Sequence, residues 1–302
     1  MDWSELLHTA AYSEPVTSRS QFDRDFDRII FSHPFRRLQD KTQVHPLPEH
    51  DFVHNRLTHS LEVSSVGRSL GRTVGQWVLA QQPALDKVLS AHDFGAIIAS
   101  ASLAHDIGNP PFGHSGEASI SDYFKTHESE FSTLFSSEQR ADLTNFEGNA
   151  QGLRLIAKSG NDGLKLSLPT IAAFIKYPKP ALPTVVYKDR KSQKKYGYFT
   201  SEADQFLHIA NTLGLHQLSE SQFVRHPLAF LVEAADDICY NVIDLEDGCN
   251  LGLVSYEQTV GLFGKILGER FQPEKLERIP LMKDKIGLLR ALAIGVLVDQ
   301  CA

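Results

Sequence analysis

Apolar positions recur with helical spacing along nearly the whole chain. Between 57 and 82 they fall at Leu57, Leu61, Val66, Leu70, Val74 and Val78, which predicts one long amphipathic helix. Residues 92–107 are apolar enough for a central core helix. Further helices are predicted at 115–125, 147–158, 168–176, 227–246, 255–268 and 284–301. Strand signals are weak, and the best of them, Thr184–Tyr187 with Tyr196–Phe199, predicts a small β-hairpin around a basic loop. The predicted fold class is all-α: one helical domain over 1–302, interrupted at about 178–200 by an insertion that Pro178, Pro180 and Pro183 mark. The amphipathic pattern from Ile286 is still running at Cys301, as in a chain truncated within a helix or one whose last helix docks elsewhere.

Composition narrows the class. Of the 302 residues, 42% are hydrophobic and 22% charged, which suits a folded globular chain and excludes a disordered one. No apolar run approaches the roughly 20 residues that span a bilayer, so no membrane partner is expected. The start Met1-Asp2-Trp3-Ser4-Glu5 has no basic or apolar signal region, and Cys239, Cys249 and Cys301 show no paired spacing. A cytoplasmic location is expected. The net charge of −7 excludes a nucleic-acid footprint over the whole surface. Lys188–Lys195 is a local exception: either a solvated loop, or a phosphate- or single-strand-binding loop on which Tyr187, Tyr196 and Tyr198 stack bases.

The candidate chemistry centres on His105-Asp106, which closes the apolar run Ile97–Ala104 before Gly108 and Pro110-Pro111 stop the helix. Burying an imidazole and a carboxylate there is costly without a partner or a metal. His59, near a predicted helix start, and Asp236, in an Ala-containing apolar helix, would complete a set of two nitrogens and two carboxylates. Such a set suits one divalent ion (Mn, Mg, Fe, Co, Ni or Zn) without selecting among them. His114 and Glu117 lie three apart after the Pro-Pro turn, with Ser115 as the expected N-cap, so they are near enough to touch. Glu117 would orient the imidazole and favour its charged form, giving a proton donor; the plainer reading is a cap and a dipole-complementing carboxylate. Asp236, Tyr240 and Asp244 recur every four residues as one stripe. Arg56, Lys176, Arg36, Arg37 and Lys41 put cations near these positions, which in an acidic protein points to a phosphorylated substrate.

The order His59, His105-Asp106, Asp236 resembles the HD superfamily of metal-dependent phosphohydrolases. Five longer strings (Phe35–Val44, Arg56–Val63, His105–Glu117, Phe146–Gln151 and Glu233–Ile238) resemble the bacterial deoxyguanosine triphosphate triphosphohydrolases, and the likeness covers nearly the whole chain. The resemblance implies an HD core at about 50–250 with His59, His105, Asp106 and Asp236 as metal ligands, His114 as the catalytic histidine and Glu117 as its partner. It implies Arg56 on phosphate, Lys176 and Tyr177 near the triphosphate, Tyr240 and Asp244 along the sugar, and Gln39 facing sugar or base. The implied reaction is hydrolysis of a deoxynucleoside triphosphate, dGTP favoured, to deoxynucleoside and inorganic triphosphate. Metal-activated water attacks the α-phosphorus and His114 protonates the leaving 5′ oxygen. Homo-oligomers, often hexamers, are implied, as is a response to nucleotides or single-stranded DNA. Family members are longer, so the C-terminal region is expected to be truncated; Gly148 stands where many relatives carry histidine. Two other readings stay open: a different HD phosphohydrolase acting on nucleotides, and a nucleotide- or single-strand-binding regulatory module that has kept the fold.

Overall fold

The structure, a computed structural model, describes residues 1–11, 19–43, 53–158 and 163–302; Val44, the end of the first family-like string, lies outside them. The principal helices are α1 (Gln21–Ile30), α2 (Arg56–Gln81), α3 (Ala91–Ala104), α4 (Gly113–Thr126), α5 (Ser137–Thr144), α6 (Gly148–Ile156), α7 (Leu168–Phe174) and α8 (Ala203–Thr212). After β1 (Gln217–Ser219) and β2 (Gln222–Phe223) come α9 (Ala229–Asn250), α10 (Tyr256–Leu267) and α11 (Met282–Cys301). The fold is all-α, as the periodicity predicts. Among the described residues no helix is long and apolar enough to cross a membrane.

The apolar 92–107 pattern becomes α3, buried from Asp93 to its end and packed by α1, α2, α7 and α9. Its Phe94, Ile97, Ile98 and Leu103 anchor the main core, each worth about 1.5–3 kcal/mol of burial. The backbones of α2 and α3 touch at Gly71, where a Cβ would sit 2.8 Å from the Phe94 carbonyl oxygen. The other face of α2 meets α9 through Val63, Leu70, Ala235 and Cys239. A further core, with Val242, Phe263 and Leu289, joins the end of α9 to α10 and α11. An Asn55–Thr58 capping box starts α2, so Arg56 and His59 fall in its first turn.

Three expectations are corrected. The hairpin from 184–187 and 196–199 does not form; among the described residues the sheet is the short β1–β2 pair. Burial of the aromatics decides this. Tyr198 stacks on Phe206 at 4.3 Å and Tyr196 meets Phe199 at 5.9 Å, while the Gly197 N–H donates to the Lys179 carbonyl at 3.1 Å. The same packing removes the base-stacking reading of the basic loop. The Tyr187, Tyr196 and Tyr198 hydroxyls donate to the Leu218, Asp142 and Ser221 carbonyls, and the last two tyrosines are buried. Nor is Ser115 the N-cap of α4. The helix begins at Gly113, and Phe112 at the cap position has φ +64°. Gly113 follows at φ +52°, and a Cβ there would meet the Arg56 Nη2 at 2.6 Å. Glycine therefore answers both the backbone and the close guanidinium.

Candidate active site

Four side chains from three separated segments converge where α2, the end of α3 and α9 meet. Ligand atoms of His59, His105 and Asp106 lie within 4.8 Å of one another. Asp236 Oδ1 sits 3.1 Å from His59 Nε2 and 3.5 Å from His105 Nε2. The His105 Nε2 is 3.7 Å from Asp106 Oδ1, and the two imidazoles stand edge to face at 5.2 Å. His105 caps α3, and its Nδ1 donates to the Ser102 carbonyl at 2.6 Å. A carbonyl only accepts, so the proton is on Nδ1 and the Nε2 lone pair faces the cluster. That is the tautomer a metal ligand needs, oriented as ligating imidazoles usually are. The spacing of His59, His105 and Asp106 could hold a divalent ion, and Asp236 stands beside the two imidazoles with a carboxylate of the same donor chemistry.

Electrostatics agree with the donor chemistry. Burial would raise the Asp106 carboxyl, but the neighbouring His105, Arg56 and His59 charges hold it below the usual carboxylate range. Burial opposes ionisation of Asp236 too, and is outweighed by His105 and by the hydrogen bond and charge of His59. The same contacts raise His59 despite burial that pulls it down. Arg56 donates from Nη1 to Asp106 Oδ2 at 2.8 Å, and the Asn109 amide donates to the other oxygen.

This cluster floors a cavity of about 460 Å³ that Arg56, His114, Lys176, Tyr177, Lys195 and Tyr240 help to line. Lys176 pairs with Glu233 at 3.4 Å, and Arg225 holds the other oxygen of that carboxylate at 2.5 Å. A smaller cavity of about 250 Å³, lined by Tyr240, Asp244 and Val254 among others, shares His59 and Gln43 with it. The Asp236–Tyr240–Asp244 stripe thus runs from the cluster along the second cavity.

Residues 56–166 match the HD domain family model. Over its whole length the chain is 44% identical to a deoxyguanosinetriphosphate triphosphohydrolase-like protein of Synechocystis sp., covering 71% of it. It is 40% identical, again over its whole length, to one from Pseudomonas aeruginosa, covering 70%. The chain belongs to the deoxyguanosinetriphosphate triphosphohydrolase-like family of the HD superfamily. A Yersinia pseudotuberculosis protein named deoxyguanosinetriphosphate triphosphohydrolase is 35% identical across 86% of this chain and 60% of its own length. Family membership makes the chain an HD phosphohydrolase, and such domains bind divalent metal.

Within this triphosphohydrolase-like site, two expected placements fail. His114 and Glu117 form no hydrogen bond or ion pair. His114 is exposed at the cavity wall, whereas Glu117 turns inward, accepting from the Gly148 N–H at 2.8 Å and lying 3.6 Å from Lys195. Three residues apart on a helix proved insufficient because the neighbouring α6 offers the carboxylate a backbone donor. Gln39 is exposed and lines neither cavity, since buried Leu38 in the turn Arg37–Asp40 directs it outward. Gln43, four residues on, lines both cavities, and its buried Oε1 has no partner among the described residues. Sequence reasoning passed over Gln43, Asn109, Lys195 and Glu233. The first, second and fourth lie inside the family-like strings, and Lys195 ends the basic loop.

Proposed function

We propose that the chain hydrolyses a deoxynucleoside triphosphate, dGTP favoured, releasing the deoxynucleoside and inorganic triphosphate in a metal-dependent reaction. The observation that carries this reading is the convergence of His59, His105, Asp106 and Asp236 at the floor of a cavity whose walls supply Arg56, Lys176 and Lys195. These four side chains would hold one divalent ion, which when bound supplies Lewis-acid polarisation and a lowered water pKa.

The chain's own groups account for the rest. Arg56 is fixed by Asp106 and leaves a buried Nε without a partner among the described residues, which suits a phosphate oxygen. Lys176 pairs with Glu233 and Lys195 with Glu117 and Glu147, and both ammonium groups line the cavity where phosphate charge would lie. Tyr177 closes the same wall. The nucleoside extends past Tyr240 and Asp244 into the second cavity, where the unpartnered Gln43 Oε1 accepts from a sugar hydroxyl or base amine. Water oxygen bonds to the α-phosphorus as the bond from phosphorus to the 5′ oxygen breaks. That oxygen leaves with a proton from His114, which has no side-chain partner among the described residues and lines the cavity. Glu117 acts at one remove, fastening α4 to α6. Homo-oligomeric assembly is part of the proposal and is read by light scattering.

The test is a panel of the four dNTPs with Mn or Mg, scored by ion chromatography. Inorganic triphosphate from dGTP supports the proposal. Release of phosphate or pyrophosphate instead would overturn it in favour of another HD phosphohydrolase reaction, and tight binding without turnover would favour a regulatory nucleotide-binding module.

A further inference from the structure

Glu233 puts a carboxylate in the wall of the cavity of about 460 Å³, beside the Lys176 ammonium. An uncompensated negative charge at that place repels phosphate, so what neutralises it matters. α9 begins at Ala229, and Phe230 and Glu233 fall three apart on one face of its first turns. The Arg225 guanidinium lies against both. It is 4.3 Å from the centre of the Phe230 ring, and its Nη1 donates to Glu233 Oε2 at 2.5 Å. The other carboxylate oxygen, Oε1, is 3.4 Å from Lys176 Nζ. Burial would raise the Glu233 carboxyl, but the Arg225 hydrogen bond and the Lys176 and Arg225 charges keep it below the usual carboxylate range.

Arg225 is placed differently from its partners. Its side chain is 9% exposed, against 28% for Glu233 and 29% for Lys176, and it lines neither the larger cavity nor the smaller one. It therefore acts on the cavity through Glu233. With Arg225 in place, two cations face one carboxylate and a positive charge is left over. Without it, Lys176 and Glu233 cancel and the wall they form is neutral.

We propose that Arg225 is a positioning residue for the phosphate subsite: by neutralising Glu233 from outside the cavity, it leaves the Lys176 ammonium as surplus charge for the triphosphate of the substrate. This assignment rests on reading the cavity as a triphosphate site.

The experiment measures binding of inorganic triphosphate to the full chain by calorimetry, with Mg present throughout. Arg225→Gln should weaken binding by about tenfold or more, the effect of one uncompensated charge a few ångström from the phosphate at intermediate dielectric. Arg225→Lys keeps the charge and needs to replace only one N–H contact, so it should stay within about threefold of wild type. Arg225→Gln combined with Glu233→Gln restores the surplus charge, and this coupled pair should recover to within about threefold of wild type. A merely structural guanidinium predicts the opposite, because neither the lysine nor the second substitution repairs lost packing. Wild-type affinity in Arg225→Gln, an Arg225→Lys or double variant as weak as Arg225→Gln, or a wild type that binds no triphosphate overturns the proposal. Should Arg225→Gln not fold, Phe230→Ala removes the ring against the guanidinium from an exposed position. Weaker triphosphate binding is expected there, and unchanged binding overturns the proposal. A chain that shows this binding pattern yet releases triphosphate from no dNTP fails the proposed reaction and keeps the Arg225 assignment.

Discussion

His54 and His105 each stand between carboxylates within reach of α2 and α9, yet they serve opposite ends. His54 spends both ring nitrogens on acids: Nδ1 lies 2.8 Å from Asp247 and Nε2 3.1 Å from Glu62. Both nitrogens must then donate, so the ring is an imidazolium, and those hydrogen bonds raise its pKa to about 10 against burial. His105 spends its Nδ1 on a backbone carbonyl and keeps a lone pair for the cluster. Residue type and nearby acids are common to both. What separates a closed ion triad from a ligand site is the partner of the second nitrogen, a carboxylate in one and a carbonyl in the other.

The most damaging change on this view is Asp236→Ala or His105→Ala, which is expected to abolish metal retention, read by elemental analysis, and with it turnover. His114→Ala should lower kcat by about 10²–10⁴-fold, the usual range for a general acid, at unchanged metal content. Loss of metal in that variant would show that His114 belongs to the cluster.

His54→Gln should destabilise by about 3–5 kcal/mol, because two part-buried carboxylates lose their cation. The folded pKa of His54 lies above its ordinary value of 6.5, so its stabilisation is complete below pH 6.5 and lost as pH rises through about 10. Thermal denaturation should therefore show a decline in wild-type Tm across that window which His54→Gln lacks. His226 is a third case: Nε2 donates to the Leu6 carbonyl and Nδ1 accepts from the Leu228 N–H, so the buried ring is neutral, with its pKa pushed down to about 4. Below 6.5 the unfolded chain binds the extra proton, and stability should fall from pH 6.5 towards 4 by about 3 kcal/mol. A flat acid limb in the denaturation profile would contradict the neutral assignment. The smallest effect is Asn55→Ala, costing about 1 kcal/mol by loss of the cap on α2.

Much of this was legible in the chain before any fold was known, and unevenly so. The helices bearing His59, His105 and Asp236 follow from apolar periodicity, and α3 from an unbroken apolar run, because burial on several sides leaves a strong linear trace. The cap of α4 did not, since nothing in Phe112-Gly113 announces two consecutive left-handed residues. The Tyr-Gly-Tyr-Phe alternation read as a strand, but the same spacing also serves to bury rings. Side-chain direction was the other limit. Glu117 finds its donor on α6 rather than on its own helix, and Gln43 replaces Gln39 because one turn rotates the segment. Those choices depend on neighbours distant in sequence.

The contact at Gly71 reaches further than packing. There the α2 and α3 backbones meet directly, since a Cβ on Gly71 would also come within 3.0 Å of the Gly95 Cα, and the two helices that lead to His59 and His105 are held close. Asp106 is held at both oxygens by Arg56 and Asn109, so if the four side chains hold an ion as proposed, adjustment to its radius would fall to Asp236.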